Sequence, residues 1–245
     1  MKIKLNENEI IDDLQCNGMK IIRNPKWFSY GMDAVLLSNY CNFKKNSTVL
    51  DIGTGTGIIP ILINAKNTLN KIYGFEVQKE VADMASRSIK LNDIEDKVTI
   101  INDDINNYQN YFSNSSLDAI VSNPPYKINN TGLKNELTQK SISRHEILCT
   151  LDDIVRISSK LLKQLGNLYL VHRPDRLVDI FCTLRKYNIE PKQIRFVHSH
   201  VGDKPNLVLI KATKCGGKEL LYDKPLYIYK NDNTYTEDLL KIYDN

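Results

Sequence analysis

No stretch of this 245-residue chain approaches about 20 consecutive apolar residues, so nothing in it reads as a transmembrane helix. The opening segment, MKIKLNENEIIDDL, is broken by acids and asparagine and does not read as a signal peptide. Cysteine is sparse: Cys16, Cys41, Cys149, Cys182 and Cys215 are odd in number, and no two stand at metal-ligand spacing. The pattern excludes a disulfide-rich secreted module, predicts no metal site and fits inert thiols in a reducing cytoplasm. There is no collagen-like glycine period, no long low-complexity tract and no internal repeat.

Apolar residues make up 42% of the chain and charged residues 25%. Such a chain can bury roughly 70–75% of its unfolded surface and needs no covalent staple. Charge is unevenly spread. Residues 140–218 hold 15 Lys and Arg against 7 Asp and Glu, whereas residues 1–139 hold 15 against 16. A basic segment is one mark of a phosphate-bearing partner, and equally of a solvated surface.

Short apolar patches around Gly18 predict a small hairpin ending at Asn24-Pro25, followed by a helix capped by Asp33. From residue 47 the pattern alternates. Strands are expected at 48–52, 71–76, 98–101, 117–122 and 168–171, with helices from about Gly57, over 79–92, over 151–165 up to Gly166, and over 175–187. Two further apolar runs, 194–197 and 207–211, are joined without a helix and predict an antiparallel hairpin at one sheet edge. The tail predicts one more strand (LYIYK) and a short helix. The fold class is therefore α/β, with a mostly parallel sheet covered on both faces. Residues 1–45 are expected to form an N-terminal extension packed on a domain spanning 46–245. Residues 127–143 are polar and read as a mobile loop.

Asp51-Ile52-Gly53-Thr54-Gly55-Thr56-Gly57 follows the first strand of that alternation and opens a helix. Glycines there let backbone approach a ligand closely. A lone glycine-rich turn is weak, but its surroundings are informative. Asp51 would repel a pyrophosphate and suit a cationic or aminoacyl group. The final glycine of a dinucleotide fingerprint is replaced by Ile58. Glu76, at the end of the next strand, stands where a carboxylate accepts both ribose hydroxyls. Asp104, after the third strand, stands where an adenine would lie. Acids at three successive strand ends around a glycine loop fit S-adenosyl-L-methionine better than a nicotinamide cofactor. Val77 and Ile105, next to two of these acids, join the candidate cofactor-binding residues.

Asn123-Pro124-Pro125-Tyr126 follows the fourth strand. This tetrad resembles the catalytic motif of methyltransferases that act on planar nitrogens. The Asn123 side-chain oxygen can accept one N–H of a target amine and the Pro124 carbonyl the other. The prolines preorganise these acceptors. As the nitrogen pyramidalises, its lone pair is directed at the methyl donor. Tyr126 offers a ring face on which a base can stack.

Further segments extend the likeness: Phe28-Ser29-Tyr30-Gly31-Met32-Asp33-Ala34-Val35-Leu36-Leu37, Arg144-His145-Glu146, His172-Arg173-Pro174-Asp175-Arg176-Leu177 and Pro225-Leu226-Tyr227-Ile228-Tyr229. Together with the tetrad they resemble the tRNA1(Val) adenine-37-N6 methyltransferase family. The resemblance implies a class I, Rossmann-like methyltransferase fold with a seven-stranded sheet. It implies transfer to an adenine N6 in RNA, and a tRNA anticodon stem-loop as partner of a cytoplasmic enzyme; the sequence leaves the oligomeric state open, with a monomer favoured. It also implies that Gly31 and Asp33 help enclose the cofactor, beside Asp51, Gly53, Gly55, Gly57, Glu76 and Asn123. Arg144, His145, Arg173 and Arg176 are candidate RNA contacts, each as readily surface or structural residues.

Three rival readings remain. A protein glutamine-N5 methyltransferase acting on release factors shares the tetrad. It usually carries an N-terminal helical domain longer than the roughly 45 residues before the glycine strand here. A DNA-amine methyltransferase usually adds a target-recognition domain, for which few residues are left. A noncatalytic binding module would not need the intact acids, glycines and tetrad.

Overall fold

The computed structural model describes residues 3–27, 31–124 and 149–243. Strands β1 (Ile10–Asp13) and β2 (Lys20–Arg23) pair antiparallel as the expected hairpin. The turn between them contains Gly18 at φ +70°. An Arg23–Asp12 ion pair crosses the hairpin. Helix α1 (Met32–Tyr40) begins two residues earlier than expected. Gly31, not Asp33, is its N-cap. The Asp33 carboxylate lies in the first turn and accepts the Ala34 N–H at 2.9 Å. A glycine cap leaves no side-chain signal in a sequence beyond a nearby acid.

The alternating region follows the expected order: β3 (Thr48–Ile52), α2 (Ile58–Lys66), β4 (Lys71–Phe75), α3 (Lys79–Leu91), β5 (Val98–Ile101) and β6 (Leu117–Ser122). A 3-10 turn at Ile105–Asn110 precedes β6. Later come α4 (Leu151–Leu161), β7 (Leu162–His172), a 3-10 turn at Pro174–Arg176, α5 (Leu177–Lys186), β8 (Ile189–His198) and β9 (Pro205–Lys214). Two-residue strands β10 (Leu221–Tyr222) and β11 (Leu226–Tyr227) and helix α6 (Glu237–Tyr243) complete the described order.

Helix α4 carries a capping box, in which Thr150 and Asp153 satisfy each other's backbone N–H groups. It ends four residues short of the expected 165. Leu162 turns to an extended conformation and pairs with Leu117, and β7 starts with no loop between. Leu165 continued the helical apolar spacing, yet it sits at φ +61° and is 60% exposed. The irregularity is a bulge between the Leu162 and Asn167 pairings, beside a Lys163–Asp118 ion pair of 2.7 Å.

The sheet order is β10-β8-β9-β7-β6-β3-β4-β5, with β11 also on β8. Strands β3 to β9 form the seven-stranded sheet, and β10 and β11 extend it to nine. Strand β9 runs antiparallel to both β7 and β8, which gives the expected edge hairpin. The tail contributes two short parallel strands rather than one. Side chains alternate between two apolar layers. Ala119, Val121, Tyr169 and Val171 face one layer with α1, α2 and α6, while Ile120, Leu168 and Leu170 face the other with α4 and α5. Burial on both faces explains why these strands read as continuous apolar runs.

The hairpin is fastened to α3. Arg87 donates to both Glu9 oxygens at 2.6 Å. The Ile22 N–H donates to Ser88 Oγ at 2.9 Å. Asn92 takes the Lys20 N–H at 2.8 Å and donates to the Lys20 carbonyl at 2.7 Å. Among the described residues no helix is long and apolar enough to cross a membrane.

Candidate active site

Strand order reverses at β3: β4 and β5 lie on one side of it, β6 and β7 on the other, all parallel. Ligands of open α/β sheets bind beyond the strand carboxyl ends at such a switch point. Register sets the row of residues there. Ile52 pairs with both Phe75 and Ser122, and Phe75 pairs with Ile101. Gly53, Glu76, Asn102 and Asn123 therefore leave four adjacent strands at one level. The glycine loop and the tetrad flank the switch point directly.

The loop is built on left-handed glycines, with φ of +74° at Gly53, +56° at Gly55 and +85° at Gly57, which caps α2. Among the described residues a Cβ at Gly53 or Gly55 would meet nothing within 4 Å. Gly53 and Thr54 donate their N–H groups to the Phe75 carbonyl at 3.0 and 2.9 Å. The loop thus folds over the end of β4. Gly55 then donates to Glu76 Oε2 at 3.0 Å, and Gln78 to Glu76 Oε1 at 2.9 Å. Each oxygen of the buried Glu76 carboxylate is held by one backbone N–H, and each keeps capacity for a second donor.

Asp51 lies one residue inside the strand end and is fully buried. Among the described residues neither of its oxygens has a hydrogen-bond partner within 3.5 Å, nor does Thr54 Oγ1 or Thr56 Oγ1. Burial pushes the Asp51 carboxyl up to about 7. The nearby Glu76 charge adds to that shift and the Thr54 hydroxyl opposes it. Burial and the Asp51 charge together raise the Cys41 thiol well above its usual value.

These features fit the cofactor expected from the sequence. An unpartnered buried acid suits a cationic or aminoacyl group, a pinned carboxylate suits a pair of hydroxyls, and open glycines admit close approach. Asp104 caps the 3-10 turn after β5 and accepts the Asn106 N–H at 2.9 Å. Ile105 beside it is buried, and Val77 is half-buried. Gly31 and Asp33 sit together at the start of α1.

Sequence reasoning missed three contributors. Gly74 lies in the middle of β4, and a Cβ there would stand 2.8 Å from Thr54 Oγ1. An isolated glycine in an apolar strand was the available signal. Asn102 donates to the Glu76 carbonyl at 2.8 Å and the Val77 carbonyl at 3.2 Å, fixing the chain around the acid. Ser122 Oγ donates to the Ile52 carbonyl at 2.9 Å, tying β6 to β3 immediately before Asn123.

Asn123 is half-buried and Pro124 buried. Pro125, Tyr126, Arg144 and His145 lie outside the described residues, as do Phe28 to Tyr30 and the polar segment 127–143. Arg173 is exposed and pairs with Asp175 at 3.3 Å, and Arg176 pairs with Asp179 at 2.7 Å. Both follow β7, the strand next to β6. His172, at the end of β7, is buried and accepts the Arg173 N–H on Nδ1 at 2.8 Å. Burial, with Arg176 adding to it, pulls this imidazole down to about 4, so it is neutral at physiological pH.

Residues 19–178 match the family model described as methyltransferase small domain. The chain is 25% identical over 206 residues to a tRNA1(Val) (adenine(37)-N6)-methyltransferase of Phocaeicola vulgatus, covering 82% of this chain and 86% of that protein. A protein of the same name from Parabacteroides distasonis is 28% identical over 186 residues, with 75% and 76% covered. Among solved structures, a predicted O-methyltransferase from Agrobacterium tumefaciens matches with a TM-score of 0.71 at 19% identity, covering 87% of this chain and 96% of that one. Geranyl diphosphate C-methyltransferase from Streptomyces coelicolor, solved with S-adenosyl-L-homocysteine, matches with a TM-score of 0.55 at 14% identity, covering 75% and 80%. These structures establish the shared fold.

Proposed function

The chain belongs to the methyltransferase small domain family, and we propose that it methylates the N6 amine of an adenine in RNA, adenine 37 of a tRNA-Val-type anticodon loop. The observation that carries this reading is the position of Asn123. It follows β6 at the level of Gly53 and Glu76, across the switch point from the glycine loop. The names of the relatives from Phocaeicola vulgatus and Parabacteroides distasonis support the choice of substrate.

S-Adenosyl-L-methionine supplies, when bound, an electrophilic methyl group on a sulfonium. The chain's own residues do the rest. Glu76 holds the ribose hydroxyls through the oxygen capacity left by Gly55 and Gln78. Asp51 takes the cationic amino end, and the glycines of the loop admit the ligand to the backbone. Asp104, Val77 and Ile105 border the adenine end. Gly31 and Asp33 help enclose the other side.

On the substrate side, the Asn123 side-chain oxygen accepts one N–H of the target amine and the Pro124 carbonyl the other. Both acceptors draw the N–H bonds out of the ring plane, so the nitrogen lone pair leaves conjugation with the ring and the nitrogen becomes pyramidal. Tyr126 stacks on the flipped base. A strong general base is not required, because the amine proton becomes acidic only once the nitrogen is alkylated. Water accepts it on the way out.

The test is methyl transfer from labelled S-adenosyl-L-methionine to bulk tRNA from a strain lacking this gene, followed by nucleoside analysis. The expected result is a rise in N6-methyladenosine. No transfer to tRNA by protein that still binds cofactor would overturn the RNA reading.

A further inference from the structure

A second feature lies on the same rim of the sheet. Strand β8 runs parallel to β7 and β6, because both β7 and β8 are antiparallel to β9. Its carboxyl end therefore rises beside that of β6, three strand steps away, or about 14–15 Å. Two structures occupy that distance.

The nearer is a groove of about 410 Å3 lined by Arg173, Pro174, Asp175, Pro205, Asn206 and Leu207. It opens between the end of β7 and the start of β9, and is large enough for a nucleotide. Beyond it stand three rings. His200 lies against Tyr229 with centroids 5.5 Å apart and planes 30° apart. Tyr229 stacks on Tyr235 at 5.4 Å and 21°. Groove and rings are joined by Asn206, which donates to Ser199 Oγ at 2.6 Å.

The rings are fixed before any ligand arrives. Tyr229 and Tyr235 face each other across an antiparallel bridge. That bridge is closed by the Lys230 N–H on the Thr234 carbonyl at 2.8 Å. The Tyr229 N–H donates to the Ser199 carbonyl at 2.9 Å. Both His200 nitrogens have partners, Asp203 Oδ2 at 3.3 Å and Asn233 Oδ1 at 2.9 Å. Despite this internal support Tyr235 is 45% exposed, and exposed Lys204, Lys230, Asp203 and Asp232 all lie within four residues of the rings in sequence. Asp175 is the one acid on the groove, and Arg173 neutralises it. A rigid, solvent-facing aromatic ladder is what an unpaired base stacks on.

We propose that the Arg173–Asn206 groove and the His200–Tyr229–Tyr235 ladder form the track for unpaired nucleotides flanking the target adenine, with one base stacked at Tyr235. The inference rests on the RNA reading above and adds where the substrate strand runs.

The experiment measures steady-state methylation of a synthetic anticodon stem-loop by the full chain, with cofactor affinity measured in parallel. Tyr235→Ala should raise KM for the stem-loop about tenfold, the size of a lost base–aromatic stack. kcat and cofactor affinity should stay within twofold. Tyr235→Trp should restore KM, since the ring face and not the hydroxyl binds. A stem-loop carrying 5-iodouridine beside the target should crosslink to the 229–235 segment. An unchanged KM in Tyr235→Ala, with the unmodified chain active on the stem-loop, overturns the track alone. Equal failure of the Ala and Trp variants also overturns it, as that marks a folding role. An unmodified chain that binds cofactor and methylates no RNA overturns the functional reading and the track together.

Discussion

Asp51→Asn tests the reading of the buried acid through stability rather than activity. A carboxyl held near 7 in the folded chain, against an ordinary value of 3.8, binds more protons folded than unfolded between those values. Stability of the ligand-free protein must therefore fall as pH rises through that window and level off above about 7. Each tenfold change in the proton equilibrium is about 1.4 kcal/mol. The penalty on folding is then roughly 1.5–2 kcal/mol at pH 5 and roughly 4 kcal/mol at pH 8. Asparagine cannot ionise and escapes it. Repacking around the amide adds a constant that is the same at both pH values, so the informative quantity is a difference. The advantage of Asp51→Asn over the unmodified chain should grow by roughly 2–3 kcal/mol from pH 5 to pH 8. Urea unfolding of ligand-free protein followed by circular dichroism measures it. Parallel stability curves for the two proteins across that range would refute the argument, because Asp51 would then be partnered and ordinary. The same logic predicts that the cofactor binds more tightly as pH rises toward 7, with a slope that Asp51→Asn removes.

Other perturbations test other parts. Asn123→Ala should lower single-turnover methyl transfer by 10²- to 10³-fold, the usual cost of one preorganised polar contact, with cofactor affinity within twofold by calorimetry. Glu76→Ala should weaken the cofactor at least tenfold while leaving transfer at saturating cofactor largely intact, which titration and kcat together would show. Gly74→Val puts a side chain onto Thr54 and should cost about 1–3 kcal/mol in urea unfolding, with weaker cofactor binding beside it. His172 is neutral when folded and charges on unfolding, so stability should drop by about 3 kcal/mol as pH falls from about 6.5 to about 4. His172→Leu should flatten that limb of the curve. RNA affinity should fall steeply with salt, and reversal of Arg173 and Arg176 together should weaken it in filter binding.

The mostly parallel sheet was legible because β3 and β6 are buried on both faces and read as largely apolar runs. Glycine and acid positions at their ends were equally plain. What escaped was decided by tertiary context. Leu165 kept a helical spacing that the chain abandons at Leu162, because pairing with Leu117 wins over one more helical turn. Gly31 displaced Asp33 as the cap, since a glycine cap shows nothing to a reader of side chains. Strands β10 and β11 are two residues each and exist only as additions to β8. Within the site, the importance of Gly74, Asn102 and Ser122 depends on what lies across the sheet from them. The ring ladder was invisible for the same reason: His200, Tyr229 and Tyr235 meet through a strand order that local patterns do not encode.

The fastening of the hairpin to α3 carries a consequence for synthesis. Its polar contacts reach from residues 9–22 to residues 87–92. At about 5–20 residues per second, a translating ribosome needs roughly 4–14 s to supply that partner. Through this interval Glu9 and the Ile22 N–H lack the Arg87 and Ser88 partners they have in the finished fold. The hairpin can therefore lock onto α3 only after Arg87, Ser88 and Asn92 have been made.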